Sequence, residues 1–196
     1  DWHDAGNWSG LAVPNESIDI AFVNGAGQVT ATANAFAKSI NVTNASTLAI
    51  DMGGNTLDSG SFALSRSSSS TTLKNGIYDL GTQSWPAAGL EKMKLIVAAD
   101  AIVSSSGALA YSPASNAVKV YGTLNHTGSV TIGQRWNNST AGSSLEVLDG
   151  GSMSIGSTLS IGWHNSKVIV ANASLLTVKA IALGASLSDS GSWATA

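Results

Sequence analysis

Two stretches of the sequence bring indole rings, amides and charge together in one wording. Ile132-Gly-Gln-Arg-Trp136-Asn-Asn-Ser139 and Ile161-Gly-Trp163-His-Asn-Ser166 share the phrase Trp-x-Asn-Ser, beginning once at Trp136 and again at Trp163. An indole face takes the C–H side of a sugar ring, while Arg135, Asn138, His164 and Asn165 offer hydrogen bonds to its hydroxyls. If the interval from Trp136 to Trp163 makes one winding of a repeating chain, the two loops lie side by side. They would then form a strip for carbohydrate, whether free or carried on a host glycoprotein. The competing expectation is an aromatic ladder, in which each indole shields the turn of its neighbour, and exposure decides between the two.

A second coincidence is a doubled acidic phrase. Asp58-Ser-Gly-Ser-Phe62 and Asp189-Ser-Gly-Ser-Trp193 both read Asp-Ser-Gly-Ser-aromatic. This resembles the active-site motif that pepsin-type aspartic peptidases carry twice. The resemblance implies that Asp58 and Asp189 would share one proton, one acting as base on water and the other as acid on the carbonyl. Too little chain lies between Asp189 and Ala196 for the strands that support the motif in such enzymes, and Asp-Ser-Gly is also an ordinary turn phrase. The turn reading is preferred, and the peptidase is kept as an alternative.

Other chemistry is thinly supported. His3, His126 and His164 stand far apart, with no His-x-x-x-His spacing and no cysteine, so neither a metal nor a cofactor is expected. The acidic residues are scattered rather than clustered beside Arg or Lys, which leaves a polysaccharide-active β-helix enzyme as a second alternative without a recognisable site. Asp149 and Asn172 fall one repeat apart, where a turn-capping role suits both side chains.

The elements that must position these groups are written in internal repeats. Val42-Thr-Asn-Ala-Ser-Thr-Leu48, Val120-Tyr-Gly-Thr-Leu124, Val147-Leu-Asp-Gly-Gly-Ser-Met153 and Val170-Ala-Asn-Ala-Ser-Leu175 each place a β-branched residue before a turn and an apolar residue after it. A second phrase recurs as Val130-Thr-Ile-Gly133, Leu159-Ser-Ile-Gly162 and Ile181-Ala-Leu-Gly184, with glycine where the chain needs positive φ. Apolar positions alternate with period two, and the segments are rich in Ser, Thr, Val, Ile and Gly, which opposes helix. Residues 76–116 break the pattern and read as an irregular insertion, although Lys94 to Val103 reads as strand, turn, strand. Ser65 to Thr72 reads as a low-complexity loop.

Composition agrees with a turn-rich β protein. Charged residues make up 11% of the chain, against roughly 25% in an average soluble domain. Net charge is −3, and no run of Lys or Arg is denser than Lys92 and Lys94, so nucleic acid is not an expected partner. No apolar run approaches the roughly 20 residues of a membrane-spanning helix, so this segment is not expected to insert in a membrane.

The opening, Asp1-Trp-His-Asp-Ala-Gly-Asn-Trp8-Ser-Gly-Leu-Ala-Val-Pro14 ahead of Asp19-Ile-Ala-Phe22, resembles the start of bacterial surface proteins with autotransporter-passenger-like β-helix repeats. The likeness implies an all-β, right-handed parallel β-helix, or solenoid, at the cell surface or secreted. In it the tryptophan segment, residues 1–25, would cap the first coil. The expectation is thus one solenoid domain over residues 1–196, consistent with a piece of a longer chain. It would serve as a structural or adhesin-like module rather than an enzyme, with its oligomeric state left open.

Overall fold

The computed structural model describes residues 1–23, 26–43, 47–65, 70–84, 93–111, 116–133, 142–162 and 166–183. These residues form a parallel β-solenoid, and every strand pairing among them is parallel. Each winding has three faces. The first is a seven-stranded sheet made of Ala26–Thr30, Thr47–Asp51, Ser70–Lys74, Lys94–Val97, Ala117–Val120, Ser144–Val147 and Lys167–Val170. A twelve-stranded sheet bends around the other two. Its second-face strands include Thr56–Ser59, Ala101–Ser106 and Thr123–His126, and its third-face strands include Ser39–Thr43, Ser61–Ser65 and Ser129–Ile132. Three longer strands, Gly76–Ser84, Ser152–Ile161 and Leu175–Leu183, run across both.

Period-two alternation turns one residue of each pair inward, and the parallel register then lays like over like. On the first face Leu48, Thr71, Leu95, Val118, Leu145 and Val168 form one inward column, and Ile50, Leu73, Val97, Val120 and Val147 form the next, with Val170 in register after them but exposed. On the second face Ala35, Leu57, Tyr78, Val103, Leu124, Met153 and Leu176 do the same. A single apolar cluster runs from Trp2 to Ile161 through these columns. Inside it the Tyr78 hydroxyl bridges faces, donating to the Ile50 carbonyl at 2.7 Å and accepting from the Lys74 amide at 3.0 Å. Burial raises its pKa well above the phenol range, because a phenolate there would lose its water.

The repeat phrases register as their spacing predicts in most places. Val120 pairs with Val147, and Val147 with Val170. Val130 pairs with Leu159, and Leu159 with Ile181. Val42 is out of phase: it sits on the third face between Phe22 and Leu64, because its phrase spans the corner after that face and not the one after the first. Gly133 has φ 72°, as expected, whereas Gly162 is not among the positive-φ residues.

Residues 76–116 are not an irregular insertion where they are described. Gly76–Ser84, Lys94–Val97, Ala101–Ser106 and Ala108–Tyr111 are regular strands, in register with the windings before and after. The pattern was hidden because the strands keep the alternation but drop the Val-turn-Gly wording. Similarly, Ser70 to Thr72 belong to a strand, with Thr71 inward between Leu48 and Leu95. At the other end, Trp2 is fully buried, its amide donates to the Thr30 carbonyl at 2.7 Å, and Trp8 packs edge-on against it at 5.3 Å. Part of residues 1–25 is itself a strand of the stack, since Asp19–Val23 pairs with Ser39–Thr43.

Candidate functional site

The corner between the third face and the first is where sequence placed the carbohydrate strip. Arg135, Trp136, Asn138, Trp163, His164 and Asn165 all lie outside the described residues. What the described chain shows is where their segments attach. Ile132 and Ile161 are paired before the two segments, and Ser144 and Lys167 are paired after them. Both tryptophan-bearing segments therefore join the same edge of the stack in adjacent windings. The interval from Trp136 to Trp163 is intermediate between the longer one from Ile132 to Ile161 and the shorter one from Ser144 to Lys167.

At that edge a groove of about 410 Å³ opens on the first face, and its lining includes Lys94, Asn116, Lys119, Ser143, Glu146 and Lys167. The strand positions explain the order. Lys94, Ala117, Ser144 and Lys167 stand in one register column, exposed at Lys94 and Lys167 and buried at Ala117 and Ser144, and Lys119 and Glu146 stand next to each other in the column two residues on. The groove thus has three ammonium groups around one carboxylate. Lys119 Nζ lies 3.0 Å from Glu146 Oε2, and the Ser144 hydroxyl donates to Glu146 Oε1 at 2.7 Å. Partial burial works to raise the Glu146 pKa, but these two hydrogen bonds and the charges of Lys119 and Lys167 outweigh it and hold the carboxyl below its ordinary range. The floor is polar and ordered: Asn116 Oδ1 accepts from the Met93 amide at 2.7 Å, and the Ser143 amide donates to the Ser166 hydroxyl at 3.4 Å.

Sequence reasoning missed this lysine grouping, since it looked for neighbours along the chain. The signal was the spacing: Lys94 to Lys119 is about one winding, and Lys119 to Lys167 about two.

Elsewhere, Asp58 is exposed on the second face, stacked between Phe36 and Asp79 in the outward column. Asp189, its proposed catalytic mate, lies outside the described residues. His126 is interior and partnered by Ser105 and Ser129, and His3 Nε2 contacts the Asn34 carbonyl at 3.0 Å. Asp149 and Asn172 occupy equivalent turns and bond to each other at 2.9 Å, side chain to side chain across two windings. No family model, curated protein or solved structure matches the chain.

Proposed function

We propose that this chain is a rigid, non-catalytic module of a bacterial surface or secreted protein, of the autotransporter-passenger type, that binds glycans at the corner carrying Trp136 and Trp163. The observation that carries the reading is the stacked attachment of the two segments: paired residues before them, paired residues after them, and a polar groove beside the second pair. A solenoid suits this task because its edge holds recognition segments at a fixed repeat without further folding cost on binding. The N-terminal segment with Trp2 and Trp8 against the first winding fits a cap that covers an open apolar end.

A glycan array tests it, with the full chain beside Trp136→Ala and Trp163→Ala. Binding by the parent and a loss of about tenfold or more in each variant, equivalent to about 1.4 kcal/mol, is the expected result. Binding unchanged in both variants, or no glycan bound by the parent, overturns the proposal.

A further inference from the structure

The lysine groove on the first face narrows the ligand. We infer that Lys94, Lys119 and Lys167 form a linear cation track for an acidic polysaccharide, one with a carboxylate or sulfate on successive sugars and free hydroxyls between. This rests on the glycan-binding reading and deepens it.

The first argument is geometric. Lys94 and Lys167 share a register column three windings apart, about 14 Å at the roughly 4.8 Å step between parallel strands. Lys119 lies between them, one winding above Lys94. Charges spread along an axis in this way can follow an extended polyanion, with Lys94 and Lys167 at the two ends of the row and Lys119 beside Glu146.

The second argument is the carboxylate in the track. Glu146 occupies the winding between Lys119 and Lys167, held ionised by Ser144 and Lys119. A nucleic acid, with about one charge per 1.7 Å of duplex axis, would be repelled there. A sugar chain instead offers hydroxyl donors to the Glu146 oxygens while its acidic groups meet the lysines. Two ammonium groups, then a carboxylate, then a further ammonium in successive windings match a ligand whose charge is interrupted by hydroxyls. Lys119 is ion-paired with Glu146, whereas Lys94 and Lys167 stand in no ion pair among the described residues.

The test uses the full chain and four immobilised polymers: polygalacturonate, its methyl ester, neutral dextran and duplex DNA. The expected result is binding to polygalacturonate that weakens with added salt, with the ester, dextran and DNA bound at least about tenfold more weakly. Lys94→Gln with Lys167→Gln, both at exposed strand positions, should lower polygalacturonate affinity by about tenfold and flatten the salt dependence while leaving the far-ultraviolet circular dichroism unchanged. Equal binding to polygalacturonate and its ester, or unchanged affinity in the folded double variant, overturns the cation track and leaves the glycan reading standing. Preference for DNA overturns the polysaccharide assignment. Binding to none of the polymers overturns the track, and the array with the tryptophan variants then decides the glycan reading separately.

Discussion

Asn172 donates its side-chain N–H to Asp149 Oδ1 at 2.9 Å across adjacent windings, and both residues sit in the left-handed region, at φ 51° and 50°. Each opens a tight turn closed by a backbone hydrogen bond, Gly151 to Leu148 at 2.9 Å and Ser174 to Ala171 at 3.2 Å. A turn with two consecutive positive-φ residues favours Asn-Gly or Asp-Gly. The equivalent pairs are Gly53 with Gly54, Asp149 with Gly150, and Asn172 with Ala173.

Ala173, at φ 59°, is the one Cβ-bearing residue at the second position of these pairs. Ala173→Gly should therefore stabilise the fold by up to about 1 kcal/mol, the left-handed penalty less the added chain entropy of glycine. Asn172→Ala should do the reverse and cost about 1–2 kcal/mol, since it loses the bond to Asp149 and puts a residue intolerant of that φ in its place. Urea unfolding of the three proteins checks both. A destabilised Ala173→Gly variant would contradict the turn assignment.

Much of the fold was legible because a solenoid writes its contacts into the sequence at a recurring interval. Val147 and Val170 could be matched by their words alone, and the register agrees. Residues 76–116 could not, because Tyr78 and Val103 keep the inward alternation while the turns beside them lack the recurring phrase. Long-range chemistry was harder to read for the same reason. Lys94, Lys119 and Lys167 become neighbours only once the winding length is known, and that length is uneven along the first face, short from Ala26 to Thr47 and longer from Ala117 to Ser144. The tryptophan phrases could be found by wording, yet their offset does not by itself fix which winding position each ring occupies.

His126 predicts acid sensitivity. Its Nδ1 lies 3.0 Å from the Ser105 hydroxyl and its Nε2 3.3 Å from the Ser129 carbonyl, inside the stack beside Ile155. Burial holds its pKa below the usual imidazole range, outweighing the carbonyls of Ser129 and Gly107 that favour the proton. The unfolded chain then binds the proton more readily than the folded one. The neutral ring's contribution is complete above the unfolded pKa of about 6.5 and is lost as pH falls below it, at no more than about 1.4 kcal/mol per pH unit. Unfolding midpoints between about pH 7.5 and 5 should fall less steeply for His126→Leu than for the parent. Parallel profiles would assign the acid sensitivity to other groups.

Gln83 carries a different cost. It turns inward on the third face, paired with Phe62, and both its amide atoms are buried without a hydrogen bond among the described residues. An unsatisfied buried polar group costs about 1–3 kcal/mol, which an apolar residue of similar length does not incur. Gln83→Met should accordingly raise stability by that order, a gain of several degrees in Tm for a chain of this size. A lower Tm would mean that the amide has a partner, such as a buried water, that the variant removes.

The bend between the second and third faces sets the tightest steric demand. A Cβ on Gly128 would collide with the carbonyl oxygen of Gly107 one winding below, and Gly107 itself has φ 89°. The obstacle is backbone, which cannot rotate aside as a side chain can, so relief requires separating two windings and breaking parallel hydrogen bonds on both sides of the bend. Gly128→Ala is expected to cost more than about 3 kcal/mol, in the range reserved for severe core lesions. Gly10→Ala, at a position with nothing within 4 Å of the added carbon, serves as the matched control. It should change stability by no more than about 0.5 kcal/mol. Equal stabilities of the two variants in urea would show that the windings at Gly107 and Gly128 are not in contact. The stacking that brings the lysine track together would then need a different register.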